Sequence, residues 1–313
     1  MASLGTDPHA RVAHRLVANV AAAVEMAPEV AEQLTVGLLA EGHVLIEGFP
    51  GVGKTTLARA LARSLDCRMT RIQCSPDLMP ADVVGTNVYD QREQRFTFRP
   101  GPVFANVVLV DEINRASPKA QAGLLECMEE RRVTVDGESR ELAGPFIVLA
   151  TQNPAEYEGT FALAEAQVDR FMLRISLSYP PRAAEAAMLD AYAAADPGAA
   201  LQPVADTAEL IAAQRAAAAV AVAPALREYV VALLWRTRED TRVRLGASPR
   251  AGLMLLRAAK ARALLMGRDH ALPDDVQALA DAVLAHRLVL VPGAAVTSAT
   301  AVIADAVAQT PAR

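Results

Sequence analysis

One stretch constrains this chain more than any other: Val44-Leu-Ile-Glu-Gly-Phe-Pro-Gly-Val-Gly-Lys-Thr55. Val44–Ile46 is a short apolar run of the kind that forms a buried parallel strand. Gly48–Thr55 fits the spacing G-x-x-x-x-G-K-[ST]. Thr56–Leu65 follows, with Leu57, Leu61, Ala62 and Leu65 at helical spacing. Strand, glycine loop and helix in that order build an anion cradle. Glycines let the backbone curl until its N–H groups converge on phosphate oxygens, and the helix N-terminus adds a favourable field. The candidate nucleotide-binding residues are therefore Gly48, Pro50, Gly51, Val52, Gly53, Lys54, Thr55 and Thr56. Lys54 would reach the β- and γ-phosphates of ATP as a point charge, and Thr55 would hold Mg²⁺. Lys54 is one of only three lysines in a chain that otherwise uses arginine. A lysine kept here suggests that a compact ammonium is needed.

The rest of the first half alternates strand and helix patterns, which implies a parallel sheet flanked by helices. Five core strands are expected, at 44–47, 68–73, 107–110, 146–150 and 171–175. Two polar-tipped hairpins interrupt them, near 80–102 and 132–142, the second marked by Asp136-Gly137. Helices are expected at 9–26 and 29–41. Ser178-Tyr-Pro-Pro-Arg182 is a breaker, so the chain divides into an α/β core at 1–178 and a helical lid domain at 179–313. The lid reads as helices near 182–195, 206–219, 224–238, 249–266 and 274–287, with no strand until 288–291. At 313 residues, 52% hydrophobic and 21% charged, the chain is long and apolar enough for both units.

The net charge of −5 argues against a broad nucleic-acid surface. No apolar stretch approaches the ~20 residues of a membrane span, and the first residues lack a signal-peptide pattern. Cys67, Cys74 and Cys127 show neither metal-ligand spacing nor a disulfide framework. These features point to a cytoplasmic protein.

Further candidates cluster at strand ends. Val107–Val110 runs into Asp111-Glu112. Asp111 would hold Mg²⁺, and Glu112 would activate an attacking water. Asn153, after the next strand, lies where such sheets bind ligands, and its amide can bond water or the γ-phosphate. Asp169-Arg170-Phe171 is expected to open the last strand. In a ring, Arg170 could reach a neighbour's γ-phosphate; a surface ion pair with Asp169 is equally consistent with the residues. Ser248-Pro249-Arg250 opens a lid helix, with Ser as cap and Pro at the first position. A cation in that first turn opposes the helix dipole unless an anion such as an ATP phosphate binds there; otherwise Arg250 is a solvated side chain. No Asn-Lys-x-Asp element is present to read guanine, which favours ATP over GTP.

The stretch Asp111-Glu-Ile-Asn-Arg-Ala-Ser-Pro-Lys-Ala-Gln-Ala-Gly-Leu-Leu-Glu-Cys-Met-Glu-Glu-Arg-Arg-Val-Thr134 resembles the MoxR branch of the AAA+ ATPases. So do Gly48–Thr55, Ala150–Pro154, Ala164–Phe171 and Gly246–Arg250, and the resemblance runs from about His43 to Val291. It implies that Lys54 and Thr55 are Walker A residues and Asp111 and Glu112 Walker B. It implies sensor 1 at Asn153, an arginine finger at Arg170 and sensor 2 at Arg250. It further implies a ring, usually a hexamer, with ATP between subunits. The expected work is remodelling or maturation of a client protein, often beside a partner carrying a von Willebrand factor A domain. The alternatives are a nucleotide-dependent binding switch with negligible turnover and the ATPase subunit of a metal chelatase. The family's usual adenine-side signal is replaced by Val24-Glu-Met-Ala-Pro28.

Overall fold

A computed structural model of the chain describes residues 7–23, 28–153, 159–179, 201–293 and 298–311, with positions 182, 185 and 186. Most of the expected helix at 182–195, most of the adenine-side stretch Val24–Pro28 and the last residues of the 9–26 helix lie outside the described residues.

Five parallel strands form one sheet: β1 (Val44–Gly48), β2 (Met69–Gln73), β3 (Val107–Asp111), β4 (Ile147–Gln152) and β5 (Leu173–Leu177). Their order is β5-β1-β4-β3-β2. Every residue of β3 is buried, as is all of β4 but its last residue, which is why both read as continuous apolar runs rather than alternations. Register matters more than length here. Gly48 pairs with Leu177, Ile46 with Thr151, Val110 with Ala150 and Gln73 with Asp111. The C-terminal ends of all five strands therefore finish along one edge.

Helices α1 (Pro8–Ala23), α2 (Pro28–Leu39), α3 (Lys54–Arg63) and α4 (Pro118–Glu130) flank the sheet. Ser117 caps α4 by accepting the Ala120 amide, with Pro118 at the first position. Beyond the sheet come α5 (Thr207–Ala219), α6 (Pro224–Glu239), α7 (Pro249–Leu265), α8 (Pro273–Leu284) and α9 (Ala299–Gln309). A single buried apolar cluster joins α1 and α2, one face of the sheet and α5–α9. A second lies on the other face, beneath α4.

Both hairpins are present, as Gly85–Asp90 with Arg95–Pro100 and as Arg132–Val135 with Glu138–Glu141. Asp136 and Gly137 both have positive φ, 52° and 82°, as a tight two-residue hairpin turn requires. The hairpins touch: Asn87 bonds Asp136 at 2.6 Å, and the Arg140 guanidinium lies 3.9 Å from the Phe98 ring centroid.

Three expectations need correcting. The last core strand starts at Leu173, not at 171. Asp169 and Arg170 sit in a turn after a helical turn, Glu165–Val168, because the amides of Val168 and Arg170 bond back to Ala164 and Gln167. The lid is not strand-free before 288. Val243–Leu245 pairs antiparallel with Val289–Leu290, and three residues are too few for their alternation to be read. Helix α9 was also not anticipated; Ser298 caps it.

Candidate active site

The glycine loop joins β1 to α3 at the sheet's C-terminal edge. Gly53 adopts φ 90°, a left-handed conformation that a Cβ disfavours, and leads directly into α3. Gly48 is needed for a different reason, since a Cβ there would lie 2.6 Å from the Leu177 carbonyl oxygen on β5. Lys54 folds back over the loop, and its Nζ donates to the carbonyls of Gly48 and, at 3.1 Å, Phe49.

The loop opens on a cleft of about 360 Å³. Pro50, Gly51, Gly53, Lys54, Thr55, Thr56, Asp111, Glu112 and Asn153 all line it. Gly48 and Val52 are not among the described lining residues: Gly48 ends β1, and Val52 packs on the core. Asp111 is buried, and its two oxygens have separate duties. Oδ1 accepts from the hydroxyls of Thr55 (3.3 Å) and Thr151 (3.2 Å), and Oδ2 accepts from Arg71 Nε at 2.7 Å.

Glu112 takes φ 58°, ψ 54°. That left-handed backbone costs a non-glycine residue about 1–2 kcal/mol. Its amide is held by Thr151 Oγ1 at 2.9 Å, and its Oε2 accepts from Gln73 Nε2 at 3.1 Å and Arg115 Nη1 at 3.3 Å. Sequence reasoning did not assign roles to Arg71, Gln73, Arg115 or Thr151. The available signal was the alternation of Arg71 and Gln73 along the strand that proves to neighbour β3.

Thr55 and Asp111 offer hard oxygens suited to Mg²⁺. Among the described residues no group of three or more His, Cys, Asp or Glu could hold a metal ion. A cation at Thr55 and Asp111 would therefore depend on phosphate oxygens and water for the rest of its shell, as Mg²⁺ commonly does.

Arg170 and Arg250 lie elsewhere. Arg170 Nε is 3.1 Å from Glu129 Oε2, and Arg250 Nη1 is 3.0 Å from Glu129 Oε1. Asp169, the alternative partner considered for Arg170, is taken by Arg287 at 2.8 Å. The two arginines line a second cleft of about 120 Å³ with Glu41, Glu129, Arg131 and Arg257. Four guanidiniums there face two carboxylates, so the cleft favours anions. The dipole conflict expected at the start of α7 is met by Glu129, and Arg250 does not line the cleft at the glycine loop. Beneath the second cleft, His43 is buried. Its Nδ1 accepts the Val148 amide and its Nε2 bonds the Met128 carbonyl, each at 2.9 Å.

A sequence model of the ATPase family associated with various cellular activities (AAA) matches residues 43–173, and an AAA lid domain matches 236–307. An uncharacterised Bacillus subtilis protein, YeaC, is 48% identical over 82% of this chain and 80% of its own length. Chaperone MoxR1 of Mycobacterium tuberculosis is 42% identical over 84% of this chain and 71% of its own. Protein MoxR of Methylorubrum extorquens is 35% identical over 90% and 88% respectively. A crystal structure of an ATPase candidate from Cytophaga hutchinsonii superposes with a TM-score of 0.89 at 34% identity, covering 97% of this chain and 95% of that one. The chain belongs to the MoxR family of AAA+ ATPases.

Proposed function

We propose that the chain hydrolyses ATP to ADP and phosphate, and that a ring of copies, six by family resemblance, uses this cycle to remodel or help mature a client protein. The observation that carries the reading is the convergence of Lys54, Thr55, Asp111 and Glu112 on one cleft. The amides of the loop and of the first turn of α3 bind the phosphates. Lys54 exchanges its two loop carbonyls for phosphate oxygens. Thr55 and Asp111 hold Mg²⁺, which when bound neutralises phosphate charge. Glu112, turned into the cleft by its left-handed backbone, takes a proton from the attacking water. The water oxygen bonds to the γ-phosphorus while the bond to the β–γ bridging oxygen breaks. Asn153, buried at the cleft wall, orients water or the γ-phosphate.

Arg170 and Arg250 serve a neighbouring subunit's nucleotide, with Glu129 holding both guanidiniums until that anion displaces it. Their position outside their own chain's cleft supports a shared site. The 1–178 core then carries the nucleotide and the 179–313 lid carries Arg250. The name of MoxR1 as a chaperone supports a protein client, and the exposed hairpin residues Tyr89 and Phe96 offer it apolar contacts. A partner with a von Willebrand factor A domain and a cytoplasmic setting belong to the same proposal. Among the described residues no helix is long and apolar enough to cross a membrane.

One observation favours the second reading, a nucleotide-dependent switch with negligible turnover. Glu112 Oε2 is already engaged by Gln73 and Arg115. Steady-state hydrolysis across protein concentration separates the two. Under the ring reading, specific activity rises with concentration. Glu112→Gln and Arg170→Ala are each inactive alone, and mixing them restores turnover. Wild-type turnover no faster than that of Glu112→Gln would favour the switch.

A further inference from the structure

Arg287 closes the short turn Ala285–Arg287 at the end of α8, and its guanidinium is almost wholly buried, with 2% of the side chain exposed. Burying such a charge is costly unless its donors are met, and here most of the acceptors come from one segment, with Val283 and the His286 ring beside Nη1. Nε donates to Asp169 Oδ1 at 2.8 Å, and Nη2 to the carbonyls of Asp169 (3.1 Å) and Phe171 (2.5 Å). Nη1 donates to the carbonyl of its own helix at Val283 and, at 3.4 Å, to that of Met172. The planar fork of arginine suits this spread of acceptors in a way an ammonium would not. The bonded segment, 169–172, is the turn that carries Arg170. On its other side Arg287 Nη2 lies 2.7 Å from Met254 Sδ, on α7 one turn beyond Arg250. One guanidinium thus sits between the two elements that present Arg170 and Arg250, while Glu129 bridges the same two side chains from the outside.

We propose that Arg287 is the positioning residue of the paired arginines. It sets the Arg170 turn in register with Arg250, so that a displacement of α8 displaces Arg170 as well. The inference rests on the reading that Arg170 and Arg250 act on a neighbour's nucleotide. Neither Arg287 nor Asp169 lines the nucleotide cleft, so their loss leaves that cleft intact.

The test uses Arg287→Met and Asp169→Asn in the full chain, with thermal melting, binding of a fluorescent ATP analogue and turnover in mixtures. Both variants are expected to bind the analogue within about two-fold of wild type. Turnover of Arg287→Met should fall on the order of 10²-fold, the usual cost of displacing a catalytic group by about 1 Å. Asp169→Asn keeps the shape and loses the charge, and should fall on the order of ten-fold. Arg287→Lys should not rescue. Mixing Arg287→Met with Glu112→Gln should restore turnover, because the second variant supplies an intact Arg170. Mixing it with Arg170→Ala should not. Full turnover by Asp169→Asn, or restoration with Arg170→Ala, would overturn the proposal. Should Arg287→Met not fold, Asp169→Asn carries the same mixing test. If Arg170→Ala and Glu112→Gln fail to complement each other, the shared-site reading falls and this inference with it. If they complement and the Arg287 and Asp169 mixtures with Glu112→Gln stay inactive, only this inference falls.

Discussion

Replacing Arg71 with methionine should change how the cleft responds to metal. Arg71 Nε is 2.7 Å from Asp111 Oδ2, and its Nη2 is 3.0 Å from Gln73 Oε1. Asp111 is the carboxylate that would hold Mg²⁺, so guanidinium and metal draw on the same charge. A hydrogen bond to a charged partner contributes about 1.5–3 kcal/mol when sheltered. The Arg71 side chain is 45% exposed, and solvent screening reduces the figure to about 1 kcal/mol. That corresponds to roughly five-fold in an equilibrium constant. Arg71→Met should therefore lower the Mg²⁺ concentration that tightens ATP binding by about five-fold. In chelator the same variant should bind ATP more weakly by a similar factor, because a cation has left the phosphate cleft. Fluorescence titration of an ATP analogue across a Mg²⁺ series, and again in chelator, reads both effects. A Mg²⁺ midpoint that stays put, or rises, would refute the reasoning. Methionine roughly retains the side-chain volume, so a change confined to melting temperature would mark Arg71 as structural.

Two further outcomes follow from buried titratable groups. Burial first, then the Arg131 and Arg257 charges, pull His43 down from 6.5 to about 4, against the Met128 carbonyl bond. The unfolded chain takes up a proton below about 6.5 that the folded chain refuses. Stability should thus be lost as pH falls towards 4, by about 2 kcal/mol between pH 7 and 5. Urea midpoints should show this slope reduced in His43→Asn, and an unchanged slope would count against it. Asp275 is fully buried and accepts from Arg262 (2.7 Å), Arg268 (2.6 and 2.8 Å) and the Leu272 amide (2.8 Å). Burial raises its carboxyl, but Arg268, the Leu272 amide and Arg262 outweigh that and hold it below the usual range. Its contribution is present above the ordinary carboxyl value near 4 and lost as pH falls through the lower folded value. Asp275→Ala should cost about 3 kcal/mol, read as a lower urea midpoint at unchanged slope; a shift below about 0.5 kcal/mol would show that Arg262 and Arg268 simply rehydrate.

The local elements of this protein were legible in its residues because their causes are local. The glycine loop, its lysine and the following helix lie within one contiguous run. Asp111-Glu112 ends a run of apolar residues. Ser248-Pro249 carries its capping chemistry in adjacent positions, and Asp136-Gly137 carries its turn. Each was read from neighbours a few residues apart, and each appears where it was read. What the tertiary structure decided is which distant groups meet. Arg71 and Gln73 reach Asp111 and Glu112 because β2 lies beside β3. Glu129 collects both Arg170 and Arg250, and Asp169 belongs to Arg287 rather than to the arginine next to it. Val243–Leu245 is a strand because Val289–Leu290 pairs with it. Propensity and periodicity act over a turn or a pleat, whereas these contacts depend on strand order and helix packing. The same side chains would read alike in sequence whichever partner the fold supplied.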